Sequence, residues 1–267
     1  MLNFKSGLCA TILVIMTSSS VEAVEMVPYQ AGYNLSLNDA RESSSVSAVT
    51  GQIAYGVEEI CGGWLFQQSG TMNMHLTNGK VVPQLLNFSS VEKDGSYQFS
   101  VNTGGTSQDI ILGRAEMPKN GKLGQVVFSR PNNVAFTLPA DTLFPAAHTA
   151  FMIEGAQAGK TQLQSHIFEG TDTEPAKLLV VFVSPLSDAG KAVINELGGD
   201  LKNHMGWNFQ LAYFDPTNQT GEPLYEVGVD QLDNGIALRW VLDYGSHSVE
   251  MKMVKIETLG KPKCSLK

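Results

Sequence analysis

Cys61-Gly62-Gly63-Trp64 opens an apolar, alternating run that continues through Phe66, Met72, Met74 and Leu76 and reads as a long β-strand. Val49 to Ile60 leads into it as a second strand, with Val49, Gly51, Ile53, Tyr55 and Val57 on one face. Cys264 lies three residues from the C-terminus, just past another strand. If Cys61 and Cys264 pair, nearly the whole chain beyond the N-terminal leader lies inside one covalent loop. This pairing constrains fold and compartment without naming a function.

Residues 1–23 read as a secretory signal. Lys5 supplies the basic region, Leu8 to Met16 a short apolar stretch, and Val21 and Ala23 the small residues before a cut after Ala23. The apolar stretch is well short of the roughly 20 residues a membrane-spanning helix needs. A lipidated Cys9 is the rival reading, and it fails because almost no apolar run precedes that cysteine. No other segment is apolar and long enough to span a bilayer. Cys9 leaves with the leader, and two cysteines in an exported chain read as a disulfide, with two buried free thiols as the alternative. Closing so large a loop stabilises by about 4–5 kcal/mol in the chain-entropy description. The expected compartment is the periplasm.

The formal net charge is −8, and the leader's Lys5 and Glu22 cancel, so the exported part carries all of it. Such a chain lacks the basic footprint of a nucleic-acid binder. Its basic clusters, Lys252/Lys255 and Lys261/Lys263/Lys267, read as a solvated face and tail. The length beyond the leader suits one all-β domain or two smaller ones. No Pro/Ser linker or change of composition divides it, so residues 24–267 are read as one domain.

Further short strands are predicted over Tyr29–Leu37, Val81–Val91, Tyr97–Val101, Ile110–Met117 and Gln125–Phe128. Asn78-Gly79, Asp94-Gly95 and Pro118–Gly121 mark turns between them, as in a meandering antiparallel sheet. The texture changes at Leu138. Leu138 to Pro145 carries turn chemistry, and Pro145 suits the first position of a helix over Ala146–Ala158 that Gly159 can end. One helix among many strands needs a packing place, and the concave side of a curved sheet provides it. Strands resume at Gln162–Glu169, Ala176–Val183, Trp207–Phe214, Leu224–Val229, Gly235–Tyr244 and Val249–Leu259. Ser187–Leu197 fits either a short helix or a loop, the helix being the better reading.

No motif declares a reaction. Gly155 to Thr161 imitates a phosphate-binding loop, but its glycines are one residue too close and it ends a helix instead of opening one. Histidines 75, 148, 166, 204 and 247 show no metal-ligand spacing. His148, in the first turn of the central helix, reads first as a polar residue at a helix start. No Gly-x-Ser-x-Gly elbow is present. The sequons at Asn34, Asn87 and Asn218 are expected by chance.

Taken in order, Tyr33-x-Leu-x-Leu, Gly51-x-x-Ala-Tyr55, Cys61-x-Gly-Trp64, Leu143-Phe-Pro-x-x-His148, Phe168-Glu-Gly170, Tyr225-Glu226, Asp233-Asn-Gly235, Asp243-Tyr-Gly245 and Cys264 form a set that resembles the EipB (cell envelope integrity) family of alphaproteobacterial periplasmic proteins. The likeness runs from about Tyr29 to Cys264. Ala146 and Glu169 depart from the threonine and aspartate of that pattern. The resemblance implies a β-spiral: a mainly β, curved antiparallel sheet, incompletely closed and barrel-like, with a helix across its centre. It implies a disulfide at Cys61 and Cys264, a role in envelope integrity and stress resistance, and a periplasmic tetratricopeptide-repeat partner. Fold analogy with lipoprotein carriers adds a lipid or acyl-bearing ligand.

The expected function is therefore non-enzymatic, with no cofactor, no metal and no catalytic residue. Trp64, Phe144, His148, Phe151 and Met152 are candidate groove or helix-packing residues. An envelope hydrolase using dispersed carboxylates is the alternative, and it needs two of them across an open cleft. The disulfide is expected to tie the start of the sheet to its end and so to do the work of closure.

Overall fold

Alternation along the strands sorts side chains onto two faces, and the buried set alone dictates how the sheet must curl. A computed structural model describes residues 24–104, 110–119, 121–217 and 221–264. The predicted leader, Asn120 of the Pro118–Gly121 turn and the Asn218 sequon lie outside the described residues. The first half runs β1 (Tyr29–Ala40), β2 (Val46–Ile60), β3 (Gly63–Leu76), β4 (Val81–Leu85), β5 (Asn87–Lys93), β6 (Ser96–Asn102), β7 (Ile110–Glu116), β8 (Gly124–Arg130), β9 (Ala135–Leu138) and β10 (Thr142–Leu143). Helix α1 (Pro145–Gln157) follows. The second half runs β11 (Gln162–Ile167), β12 (Lys177–Pro185), α2 (Asp188–Leu197), a 3-10 turn at Gly199–Asn203, β13 (Gly206–Phe214), β14 (Tyr225–Leu232), β15 (Ala237–Asp243) and β16 (His247–Thr258).

All sixteen strands join one sheet, ordered β10-β11-β12-β13-β14-β15-β16-β1-β2-β3-β5-β6-β7-β8-β9, with β4 also on β3. Every pairing is antiparallel except that of β10 with β11. The sheet coils into the nearly closed, barrel-like form expected of the family resemblance. Its two edge strands, β9 and β10, are separated in sequence only by Pro139-Ala140-Asp141. The chain itself therefore crosses the seam. Asp141 accepts a hydrogen bond from His166 Nδ1 of β11 at 2.9 Å, latching that crossing.

Three clusters fill the interior. One gathers Tyr29, Tyr33, Ile53, Val57, Phe66 and Met253, and α2 joins it through Val193. A second lies under β11–β15 and includes Leu179, Val181, Phe209 and Val229. The third is aromatic: Tyr97, Phe99, Phe128, Phe144 and Phe168. It seals the seam from inside, because Phe144 follows one edge strand while Phe136 belongs to the other. Phe144 stacks on Tyr97 with ring centroids 4.9 Å apart, and Phe136 meets Phe168 at 6.0 Å. Helix α1 touches all three clusters, with Ala146 in the first, Met152 and Ala156 in the second, and its capping residue Phe144 in the third.

The structure pairs Cys61 with Cys264, their Cα atoms 5.6 Å apart. The bond does not close the barrel. β1 and β16 are already hydrogen-bonded from Tyr29–Thr258 to Ala40–His247, in the middle of the sheet. The disulfide runs from the β2–β3 turn, past β1, to the tail beyond β16. It pins that tail where Leu259 N–H already donates to Pro28 O at 2.8 Å. The expectation of a clamp between sheet ends fails because the chain termini sit mid-sheet, and the sheet ends lie mid-chain.

Other differences have local causes. The strand expected over Val81–Val91 is two strands, broken at Leu86, whose N–H donates to Gly70 O at 2.9 Å. Both pieces pair with β3, on either side of Gly70. A Cβ on Gly70 would stand 2.2 Å from Gln52 O, so the strands approach too closely there for any side chain. β9 and β10 have no signal in the sequence, because strands this short carry no usable alternation. Ser187–Leu197 is helical. Ser187 Oγ accepts from Gly190 N–H at 3.0 Å and donates to the buried Asp230 carboxylate at 2.6 Å.

Candidate functional site

The Cys61-Gly62-Gly63-Trp64 stretch builds a small cavity at the start of α1. Gly62 takes the left-handed turn, at φ 85°. Gly63 lies against β5, where a Cβ would fall 2.1 Å from Glu92 O. Trp64 is thereby set opposite Glu92 across the β3–β5 pair. Helix α1 has Pro145 in its first turn and no side-chain cap of its own. Glu92 supplies one from outside: its carboxylate accepts from Ala146 N–H at 2.7 Å and Ala147 N–H at 3.0 Å. Burial pushes the Glu92 carboxyl above its usual range, and the two amides pull it back. Trp64, Glu92, Ala147 and Ala150 are among the residues lining the resulting space of about 330 Å³.

The other expected groove residues do not line an opening. Phe144 is buried in the aromatic cluster and Met152 in the β11–β15 cluster, against which the half-buried Phe151 packs. His148 is 3% exposed, with its ring 6.3 Å from that of Phe151 and its Nε2 without a hydrogen-bond partner among the described residues. Desolvation pulls its pKa down to about 4, so the imidazole is neutral. Helix α1 is thus a core element along its length, and the structure brings only Trp64 of this set to a cavity wall.

Glu169, in the Phe168-Glu169-Gly170 motif, is a second perturbed carboxyl. Burial raises its pKa to about 7, opposed by Lys177 and reinforced by Asp172. Its main-chain oxygen accepts from Tyr97 Oη at 2.6 Å. Its side chain takes a long 3.5 Å hydrogen bond from Tyr213 Oη, and Tyr213 is stacked 4.4 Å from Tyr225. Glu169 does not line the cavity at the start of α1. Among the described residues no group of three His, Cys, Asp or Glu side chains is disposed to hold a metal. No helix among them is long and apolar enough to cross a membrane.

The larger concavity, about 650 Å³, lies elsewhere, on the outer face across β16, β1, β2, β3, β5 and β6. Strand register aligns its lining into two cross-strand rows. One row is Glu257, Gln30, Gly56, Gln67, Ser89 and Ser100. The other is Lys255, Gly32, Ala54, Ser69, Asn87 and Asn102. The intervening Ala31, Tyr55 and Phe88 send their side chains to the core and contribute main chain to the floor. Periodicity along one strand could not reveal these rows. Each member is an unremarkable outward position, and only the long-range register assembles them.

Comparison with known proteins follows the same outline. The chain is 27% identical over 247 residues to the cell envelope integrity protein EipB of Brucella abortus (strain 2308), covering 90% of this chain and 87% of that one. A solved β-barrel-like structure from Brucella abortus, of a domain of unknown function, superposes with a TM-score of 0.80 at 25% identity, covering 89% of this chain and all of the other. The EipB-like family matches residues 20–260. By sequence across nearly its whole length, and by the coiled sheet around a central helix, the chain belongs to the EipB-like family.

Proposed function

We propose that the protein is a non-enzymatic periplasmic module that supports cell envelope integrity and stress resistance by binding a component of the envelope in its outer groove. Kinship with a cell envelope integrity protein supports an envelope-related role. The disulfide suits an oxidising compartment outside the cytoplasm. The observation that carries the binding reading is the groove, a concavity of about 650 Å³ crossing six strands. Clefts of this volume commonly hold small-molecule ligands.

A tetratricopeptide-repeat protein is the partner that the family resemblance suggests. The groove's side chains end in amides and hydroxyls that an acyl chain would leave unpaired, although carbon makes up more of its surface than polar atoms do, and α1 with its three clusters occupies the barrel interior. The hydrolase alternative needs two carboxylates across one cleft. The groove rows hold one, Glu257, and the smaller cavity holds Glu92 and Asp94, of which Glu92 is engaged by the amides of α1.

The test places a photo-reactive amino acid at Ser100, inside the groove, and at the exposed Phe182 of β12 as a control, in the exported protein. The expected result is an adduct of defined mass at position 100, suppressed by excess unlabelled protein and absent at 182. Equal labelling at both positions, or none at 100, would overturn the assignment of the groove.

A further inference from the structure

We infer that the outer groove binds a linear, uncharged glycan chain laid across the strands, an assignment that rests on the groove being the binding surface. Five strand spacings separate β16 from β6, so the groove runs for roughly 24 Å. It is only two side-chain rows wide. That shape suits a polymer lying perpendicular to the strands better than a compact ligand.

The lining chemistry narrows the class. Between Lys255 and Glu257 at one end and Ser100 and Asn102 at the other, the rows hold only amides, hydroxyls, glycine and alanine. Among the described residues, Gln30, Gln67, Ser89 and Ser100 have no side-chain hydrogen bond, while Ser69 Oγ donates to Asn87 Oδ1 at 3.0 Å. Amides and hydroxyls each donate and accept, as sugar hydroxyls do. A phosphorylated or anionic ligand would find one cation, Lys255, beside a carboxylate. An acyl chain would cover amides without pairing them, at about 1–3 kcal/mol each. A peptide strand cannot extend the sheet here, because the floor's main-chain groups are already spent in the ladders on both sides.

The glycines supply an independent observation. Gly51 and Gly70, on the inner face, are required by the fold, since a Cβ would meet main-chain oxygens at 2.3 and 2.2 Å. Gly56 in the groove is not, while Gly32 borders a bulge against β16 without being sterically required there. Neither has a left-handed φ, and a Cβ would meet nothing nearer than Lys255 Cβ at 3.9 Å or Gln30 Cγ at 3.8 Å. Glycine inside a strand weakens it. Here it keeps the floor bare, as close approach of a ligand to the main chain requires. No aromatic ring faces the groove, so binding by one chain segment is weak and gains from length.

The experiment is a proton–nitrogen correlation titration of the whole exported protein with chitohexaose and with maltohexaose. With at least one of them, shifts are expected at the side-chain amides of Gln30, Gln67, Asn87 and Asn102 and at the main chain of Gly32 and Gly56. The Gly32→Val/Gly56→Leu variant fills the floor and is expected to melt no lower than the parent while binding at least about tenfold more weakly. Gln67→Leu, at an exposed position, is expected to weaken binding several-fold with no change of fold. Absence of shifts with both hexamers, shifts outside the two rows, or undiminished binding by the filled variant overturns the assignment. Phosphatidylglycerol vesicles perturbing the same amides in place of the sugars overturns it too. A groove cross-link without hexamer binding sinks the glycan class alone, whereas loss of the cross-link sinks the binding surface itself.

Discussion

His148 shows what a single buried polar atom does to stability. In the unfolded chain an imidazole titrates near its ordinary value of about 6.5. In the fold, burial among apolar neighbours lowers it to about 4. Between those values the folded state binds fewer protons than the unfolded one, so stability is full above pH 6.5 and is lost as pH falls toward 4. His148→Leu removes both the titration and the unpartnered Nε2. Urea unfolding at pH 7.5 should show unchanged stability or a gain of up to about 1–2 kcal/mol. At pH 4.5 the variant should exceed the parent by more than it does at pH 7.5, and an equal difference at both would contradict the account. Glu169 contributes a limb of opposite sign. Its folded pKa is raised to about 7, so its share of stability is present below the ordinary carboxylate range and lost as pH rises through 7. That limb should survive in the variant.

At the scale of elements, α1 depends on a neighbour for its beginning. Pro145 brings no N–H, Phe144 brings no capping oxygen, and Glu92 of β5 reaches both Ala146 and Ala147. Glu92→Ala should cost about 1 kcal/mol, as loss of a helix cap does. Hydrogen exchange should quicken at Ala146 and Ala147 while the amides of the second turn onward keep their protection. Uniform quickening along the helix would mean that Glu92 acts through global stability instead. The helix itself was legible in the sequence, because Pro145 and Gly159 punctuate it and its composition allows little else. So were the long strands β1, β2, β3, β13 and β16, whose alternation spans enough residues to be read. Glu92 as its cap was not legible, since the pairing of β5 with β3 beside the helix start is a tertiary fact. Ser187 as the cap of α2 was visible only as a serine before a short amphipathic run.

For the whole molecule, sequence order and sheet order run out of phase, and that decides what the disulfide does. The resemblance and the two cysteines made the bond readable, but its place in the sheet depended on knowing that β16 lies beside β1 and that β9 and β10 are the edges. No local pattern carries that information, nor the two rows of the outer groove. Because Pro139-Ala140-Asp141 and the aromatic cluster hold the seam, breaking the disulfide should leave it shut. A Cys61→Ser/Cys264→Ser variant should lose on the order of 2–5 kcal/mol, since it frees a loop of 203 residues of separation in the unfolded chain. Its native-state hydrogen exchange should quicken at Leu259, whose N–H is held by Pro28 O beside the bond. Protection at Phe168, whose N–H is held by Leu143 O of β10, and at Phe128, held by Val134 O beside β9, should be reduced only as far as the global loss requires. If protection at Phe168 and Phe128 instead falls to that of an open edge, the bond is a clamp on the barrel after all, transmitted through the sheet from the β2–β3 turn to strands far from it.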